Sequence, residues 1–358
     1  MAEKLLISGN EAIARGAIQA DCKYFFGYPI TPQSDIPEFM SRELPKIGGA
    51  FVQSESETAS IYMVYGGALA GARVMTSTSS PGFSLMQEGI SYIAEMETPC
   101  LIAEVTRMGP GIGTGGQHGQ TDYRQATKGG GHGGYRIIVL APYSAQECFD
   151  FTQLGFHLAD KYRMLSLVLS DYVVGQTAEL VEIRTLDLGP VPEKTWALKG
   201  KGQKGGKRDF HIAGFVHRGS VVDYHVQTRE KYQQVAQAEV RHDTYQTDDI
   251  NLLLVAYGST ARFCKGAVDI ARAEGLKVGL FRPITLWPFP GEALREIALK
   301  AGKVLVVEDS SGELVEDVED AVRHQIPVNL LGVWGRHNTG ASGIIHPERI
   351  LEEVKKLL

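Results

Sequence analysis

Two glutamates before a helix of small residues are the side chains of this chain best suited to handle a proton. Glu55 and Glu57 follow the apolar run AFVQS, and glycine, alanine and serine are frequent in the helix predicted after them. A carboxylate at such a junction can be withdrawn from water, which suits a proton-handling group better than an ordinary surface charge does. The alternative is an acid in the first helical turn that the helix dipole favours.

Three further polar residues follow predicted strands. Thr31 lies in the motif GYPITP, Ser80 follows the run RVMTSTS, and Arg107 ends the run CLIAEVTR. In a parallel sheet, ligands bind beyond the carboxyl ends of the strands. An arginine there, beside glycines, suits a bidentate grip on a carboxylate or phosphate, with a surface ion pair as an equal alternative. Together with Glu57, these residues predict a binding site at one edge of the sheet.

The glycine-rich segment 109–134 has no assigned motif. It contains GxGxxG, but no amphipathic helix opens directly after these glycines, so we reject a dinucleotide-binding fingerprint. We predict a mobile active-site or interface loop in which His118, Asp122, Lys128 and His132 are possible contacts. The two histidines are weak evidence for a metal site. We favour the interpretation that both are polar loop residues with satisfied hydrogen bonds. GxSxG is absent, which leaves a serine hydrolase as a remote alternative.

Composition excludes several classes of protein. The 358 residues, 43% of them hydrophobic, are enough for two or three domains. A net charge of −6 argues against binding to nucleic acid or anionic membranes. The four cysteines are far apart, which argues against disulfides, zinc knuckles and iron–sulfur motifs. No apolar run approaches the length of a membrane span and the N-terminus does not read as a signal peptide, so we expect a soluble cytoplasmic protein.

Strands and helices alternate through the first half of the chain, as in a doubly wound α/β fold with a mainly parallel sheet. We predict strands at 23–28, 50–54, 73–79, 100–107, 136–141 and 165–170. We predict helices at 10–20, 33–44, 57–71, 83–95 and 144–160. Asn10 and Ser144 are the predicted N-caps of the first and last of these helices.

A second alternation begins at residue 251, after a segment without a strong helical or strand period. We therefore divide the chain into an α/β domain (1–177), a connector (178–248) and a second α/β domain (249–358). The connector carries the basic run KGKGQKGGKR (199–208). This run could bind phosphate or a partner protein, but a solvated loop is the interpretation that we favour. In the second domain, RPITLWPFP (282–290) is predicted to be a loop.

Several motifs resemble the α subunit of 2-oxoacid:ferredoxin oxidoreductases: GYPITP, the ESE before the small-residue helix, TSTSSPGFSLMQEGISY and VTRMGPGIGT. The run ATKGGGHGGYRIIVLAP is most similar to the branched-chain (2-oxoisovalerate) group, with the 2-oxoglutarate group next. RPITLWPFP, VVEDSSGEL and GRHNTGASGIIHPERILEEV resemble the family's second domain. The resemblance covers nearly the whole chain outside 178–248. It implies a thiamine diphosphate-binding-type pyrimidine domain in the first half and a transketolase C-terminal-like α/β domain in the second.

The resemblance also implies roles for single residues. Glu57, with Glu55 as its rival, would hydrogen-bond a ring nitrogen of the aminopyrimidine. Thr31 and Arg107 match positions that hold the carboxylate and carbonyl oxygen of the substrate. The cofactor contacts it implies are Pro29, Ile30, Glu57 and Ser80. The implied reaction is oxidative decarboxylation of a 2-oxoacid to acyl-coenzyme A and CO₂, with reduction of ferredoxin.

Partner subunits are implied by motifs that the sequence lacks. There is no GDG followed by NN to hold diphosphate and Mg²⁺, and no cysteine cluster for 4Fe–4S clusters. The resemblance places these groups on a β subunit and a ferredoxin-like δ subunit or external ferredoxin, beside a γ subunit. Helix 57–72 and loop 109–134 are the expected contact surfaces. The absence of Pro-Thr-Lys from 109–122 favours a branched or aryl substrate. The alternatives are 2-oxoglutarate as substrate, a non-catalytic scaffold or regulatory subunit, and a self-contained transketolase-like enzyme.

Overall fold

The computed structural model describes residues 3–198, 200, 219–333 and 344–358, which form three β-sheets covered by helices. The strands are β1 Glu3–Ser8, β2 Tyr24–Gly27, β3 Ala50–Gln53, β4 Val74–Thr78, β5 Cys100–Thr106, β6 Ile138–Leu140, β7 Leu165–Asp171, β8 Ala178–Ile183, β9 His242–Tyr245, β10 Leu252–Val255, β11 Val278–Pro283, β12 Thr285–Trp287, β13 Val304–Val307 and β14 Val328–Leu331. The helices are α1 Gly9–Gln19, α2 Asp35–Glu43, α3 Glu57–Leu69, α4 Ser80–Glu95, α5 Tyr123–Lys128, α6 Ala145–Tyr162, α7 Tyr172–Gln176, α8 Val221–Ala238, α9 Gly258–Ala273, α10 Gly291–Ala301, α11 Leu314–Val322 and α12 Pro347–Leu357.

The largest sheet has the strand order β12-β6-β7-β5-β4-β2-β3 and is parallel except for β12. Its central strands, β4, β5 and β7, are buried along their whole length. Burial on both faces is typical of parallel sheets that have helices on each side. The predicted fold class is confirmed, and each strand and helix predicted in this half is present with shifts of a few residues at its ends.

The second sheet has the order β14-β13-β10-β11-β9, in which β9 is antiparallel to its neighbour. The chain then crosses back, because β12 pairs with β6 at the edge of the first sheet. The prediction of a loop throughout 282–290 is therefore wrong. Phe281 and Leu286 belong to the same buried cluster as Ile102 and Leu167, so the two alternating regions share a core. The boundaries after 177 and 248 stay a prediction.

From its sequence the connector is predicted to hold a few strands, and the structure adds a helix that was not predicted. Strand β8 pairs antiparallel with β1 as a two-stranded ribbon, and α8 is an 18-residue helix. The sequence of α8 has only a weak helical period, because few of its residues are buried and some of its apolar residues, such as Val222 and Val226, are exposed. Its local signal is the capping box of Ser220 and Asp223. The basic run 199–208 lies outside the described residues, apart from Gly200.

The start of α1 differs from the prediction. Ser8, and not Asn10, caps this helix, since its side chain accepts a hydrogen bond from the backbone N–H of Glu11. Asn10 is buried one residue inside the helix and donates to the carbonyl of Pro32 at 2.8 Å, so it supports the GYPITP loop. Ser144 caps α6 as predicted. No helix within the described ranges has both the length and the apolar character that a membrane span needs.

A buried carboxylate fixes the start of α11. Glu308 follows β13 and is fully buried, and its two oxygens accept backbone N–H groups from Glu313, Leu314 and Val315 at 2.9–3.1 Å. These N–H groups have no partner inside the helix, so the side chain satisfies donors that would otherwise be buried unpaired. The interaction holds α11 against the end of β13.

We expect Glu308→Gln to lower the free energy of unfolding by about 2 kcal/mol, because an amide NH₂ would face donors that now meet a carboxylate oxygen. Urea denaturation of the purified chain measures this. Glu296→Gln is the matched control, since Glu296 is an exposed residue that pairs with Lys300 at the surface. Equal losses in the two variants would show that Glu308 does not hold this helix.

Candidate functional site

The predicted site residues lie at one edge of the large sheet. Strands β5, β4, β2 and β3 are consecutive neighbours and run parallel, so their carboxyl ends meet at the same edge. Arg107, Ser80, Thr31 and Glu57 follow these strands in that order. The strand order differs from the chain order, and for this reason residues up to 76 positions apart become neighbours.

Glu57, rather than Glu55, is withdrawn from water. It is the first residue of α3, its side chain is only 4% exposed, and Glu55 is exposed. Gly82 in α4 makes room for it, since a Cβ at position 82 would overlap Glu57 Oε1. Within the described residues the Glu57 carboxylate has no hydrogen bond. Buried polar groups are nearly always paired, so this carboxylate is a candidate acceptor for a donor from outside the chain.

Arg107 is a buried cation held by backbone carbonyls. Its Nη1 donates to the carbonyl of Thr31 at 2.8 Å and its Nη2 to that of Ile112 at 3.2 Å. Burial lowers the pKa of Arg107, and the negative charges of Asp122 and Glu57 oppose that shift. Nε has no partner among the described residues. Because carbonyls do not neutralise the guanidinium, its charge can bind an anionic ligand.

Ser80 is built into the protein beside Arg107. Its Oγ accepts from the backbone N–H of Arg107 at 3.2 Å and contacts the carboxylate of Asp122. Glu104 lies behind Asp122 and is fully buried in β5. Burial, and then the neighbouring Asp122, raise the pKa of Glu104 well above its usual range, while burial raises the pKa of Asp122 to about 6 against its hydrogen bond from Ser80 and the charge of Arg107. These shifts favour the protonated form of Glu104. Sequence reasoning missed it, although an acid in an otherwise apolar strand was a signal.

His118 lies in a buried ionic cluster away from Thr31 and Glu57. Its Nδ1 contacts the carboxylate of Asp309, and its Nε2 is 3.5 Å from Asp171 and 2.9 Å from Ser259 Oγ. Burial alone would lower the pKa of His118, but the charges and hydrogen bonds of Asp171 and Asp309 outweigh it and raise that pKa to about 10. His118 is thus a cation that joins the glycine-rich loop to the second alternating region.

Asp309, His118 and Ser259 are linked in the same order as an Asp-His-Ser catalytic triad, but they cannot act as one. Ser259 is fully buried, and His118 already carries the proton that a general base would have to accept. Gln120 continues the anchor, because its side chain bonds the carbonyl of Tyr257 and the backbone N–H of Asp309. The expectation of a mobile loop therefore does not hold for 118–120.

The other predicted loop contacts are turned away from the sheet edge. Lys128 pairs with Asp317 on α11, and His132 pairs with Glu88 on α4 at 2.9 Å. Of the four loop residues singled out from the sequence, Asp122 alone joins the site residues, through Ser80. In the described part of the chain no three His, Cys, Asp or Glu side chains are placed to hold a metal ion.

A cavity of about 620 Å³ opens beside Ser80 and Asp122. The backbone that follows Arg107 forms one wall and residues after β13 form another, so both alternating regions contribute to it. The site thus combines a buried unpaired carboxylate, a buried arginine and a cavity of the size of small-molecule sites.

Two family models match the chain. The model for pyruvate flavodoxin/ferredoxin oxidoreductase, thiamine diphosphate-binding, matches residues 15–247. The model for pyruvate:ferredoxin oxidoreductase core domain II matches residues 251–341. Together they cover nearly the whole chain.

Curated relatives and solved structures agree with these matches. Ketoisovalerate oxidoreductase subunit VorB of Methanothermobacter marburgensis is 47% identical over 88% of this chain and 89% of its own. 2-Oxoglutarate synthase subunit KorA of Methanothermobacter thermautotrophicus is 35% identical over the full length of both. The 2-oxoglutarate:ferredoxin oxidoreductase of Magnetococcus marinus, solved with 2-oxoglutarate, coenzyme A and succinyl-CoA bound, superposes with a TM-score of 0.86 at 29% identity. The match covers 99% of this chain and 65% of that one. A split-gene transketolase, at 14% identity and a TM-score of 0.60, shares the fold.

We expect the stabilisation by His118 to depend on pH. Its pKa is raised from 6.5 to about 10 in the folded chain, so the stabilisation is complete below pH 6.5 and is lost as pH rises toward 10. The melting-temperature gap between the wild type and His118→Asn should narrow over this range. His132→Asn, at an exposed histidine, is the control and should show no such trend. A gap that stays constant from pH 6.5 to 10 would contradict a cationic His118.

We expect Gly82→Ala to destabilise the chain by about 1–3 kcal/mol, because the new methyl group would overlap Thr78 Oγ1 and Glu57 Oε1. Gly66→Ala is the matched control, since nothing lies within 4 Å of the methyl group that it adds on the exposed face of α3. That change should stabilise the chain by about 0.5–1 kcal/mol. Urea denaturation of both variants measures the difference, and shifts of the same sign would refute the packing of Glu57 against Gly82.

Proposed function

Because this chain belongs to the pyruvate flavodoxin/ferredoxin oxidoreductase family, we propose that it is the α subunit of a heteromeric thiamine diphosphate-dependent 2-oxoacid:ferredoxin oxidoreductase. The reaction decarboxylates a 2-oxoacid, transfers the acyl group to coenzyme A and passes the electrons to ferredoxin. The observation that carries the proposal is the Glu57 carboxylate, which is buried and has no hydrogen bond within the described residues.

The residues around Glu57 fit the aminopyrimidine ring of thiamine diphosphate. A buried carboxylate without a partner can accept a hydrogen bond from a protonated ring nitrogen, and the low local dielectric strengthens that bond. When bound, the cofactor supplies the carbon nucleophile that attacks the 2-oxo carbon. Pro29 and Ile30 lie in the accessible loop after β2 and would contact the ring. A cofactor contact by Ser80 is also proposed, although its Oγ already contacts Arg107 and Asp122.

Arg107 and Thr31 would bind the substrate. The guanidinium of Arg107 is fixed by the carbonyls of Thr31 and Ile112, so it does not have to be reoriented when an anion binds. The exposed side chain of Thr31 lies next to it and offers a hydroxyl to the carbonyl oxygen. The pair would orient the carboxylate and the 2-oxo group toward the cofactor.

Partner subunits would cover the face that α3 and α4 present next to Glu57. Tyr62, Met63, Leu85 and Tyr92 are between 37% and 54% exposed on this face, and Gly66 is open. A cluster of exposed aromatic and apolar side chains around small residues is typical of a protein interface. We place a β subunit there, which would hold the diphosphate, Mg²⁺ and iron–sulfur clusters. A γ subunit and a ferredoxin-like δ subunit, or an external ferredoxin, would complete a cytoplasmic enzyme.

We propose 2-oxoisovalerate or a similar branched 2-oxoacid as the substrate. The relative at 47% identity is named a ketoisovalerate oxidoreductase subunit, whereas the subunits named for 2-oxoglutarate are 35–39% identical. 2-Oxoglutarate is the second candidate, because the solved relative with that substrate superposes over 99% of this chain.

We expect Glu57→Gln to lower coenzyme A-dependent reduction of a viologen dye by at least about 100-fold, since an amide cannot replace the carboxylate as acceptor for a protonated ring nitrogen. The chain is purified with its co-expressed partner subunits and assayed with several 2-oxoacids. Glu55→Gln is the matched control, because Glu55 is exposed and one residue before the helix cap.

The isolated chain should be inactive in the same assay. Normal rates in Glu57→Gln, with unchanged assembly by size-exclusion chromatography, would refute the role of this residue. Full activity of the chain without partners would refute the division of the cofactor site between subunits.

A further inference from the structure

The cavity beside Ser80 borders the arginine that would hold the substrate carboxylate. Ser80 and Ile112 both line it. Ser80 Oγ accepts from the backbone N–H of Arg107, and the carbonyl of Ile112 accepts from its guanidinium. A ligand whose carboxylate is bound by Arg107 therefore has this cavity within reach of its other end.

The walls of the cavity are mainly apolar. Met108, Ile112, Pro81, Pro110 and Val333 line it, and Val333 comes from the second alternating region. Its volume of about 620 Å³ lies within the range of roughly 300–1,000 Å³ that is usual for small-molecule sites. A branched aliphatic side chain would bury its surface here without leaving a polar group unpaired.

The ionisable groups that line the cavity within the described residues are acids. They are Asp122 and Glu313. Burial raises the pKa of Glu313 to about 7, and the nearby carboxylates of Glu308 and Asp122 add to that shift. Within the described residues no basic side chain lines the cavity, and the side chain of Arg124, whose backbone N–H donates to Glu313, pairs with Glu316. A second carboxylate placed here would meet like charge, or would have to bring a proton with it.

We propose that this cavity binds the side chain of the 2-oxoacid and that its acidic wall selects an apolar branched substrate against one with a second carboxylate. The inference rests on the proposed function and adds to it the residues that set the substrate class. Repulsion of the wrong substrate supplies the discrimination, because apolar contacts alone separate similar side chains only weakly.

A change of charge at the rim of the cavity tests the proposal in the assembled complex. Val333 is 42% exposed, so Val333→Lys should fold, and Val333→Gln is the matched uncharged control. The measured quantity is the ratio of kcat/KM for 2-oxoglutarate to kcat/KM for 2-oxoisovalerate in the viologen assay. Val333→Lys should raise this ratio about tenfold or more, because the ammonium group offers a partner to the distal carboxylate, and Val333→Gln, which adds no charge, should raise it much less.

Glu313→Gln provides a second, independent variant. It removes one acid from the wall and should raise the same ratio, whether or not Val333→Lys assembles with its partners. Val222→Lys, on the exposed side of α8, adds the same charge outside the cavity and should not change the ratio. Unchanged ratios in Glu313→Gln and Val333→Lys would overturn the proposal, as would a wild type that prefers 2-oxoglutarate. A wild-type complex that oxidises no 2-oxoacid would instead refute the proposed function.

Discussion

The site at the sheet edge depends on the side chain of Glu57, which is 4% exposed and whose carboxylate has no hydrogen bond within the described residues. Glu57 reaches its position because Gly82 has no side chain and because only three residues separate the start of α3 from the end of β3. Folding the chain therefore prepares an acceptor that only a molecule from outside the described residues can complete. Activity that appears when subunits come together is a natural consequence of this arrangement.

A second constraint keeps the arginine and the cavity in place. The loop after Arg107 begins at a strand end but is anchored through His118 and Gln120 to the second alternating region. Asp309 contacts His118 through its carboxylate and donates its backbone N–H to the side chain of Gln120, and the neighbouring Glu308 fixes the start of α11. The second region thus contributes to the site by holding a loop of the first region, as well as by walling the cavity.

The sequence predicts which polar residues lie at the edge of the sheet, but it does not predict the pairing of buried polar residues in the interior. Thr31, Glu57, Ser80 and Arg107 were found because strand ends leave a local signature, an apolar run followed by a polar residue. The pairing of His118 with Asp309 could not be found in this way, because it spans 191 positions and depends on how two sheets meet. Local pattern also failed at β12, which pairs with the edge of β6, and at α8, whose few buried residues leave a weak helical period.

The return of β12 to the first sheet limits how this gene product could be divided. A polypeptide that ended before residue 285 would leave the backbone of β6 exposed along one side. Unpaired strand edges recruit strands from other chains and promote aggregation. If the chain were divided at the start of the second region, the edge of β6 would stay uncovered until the second polypeptide docked its β12 there.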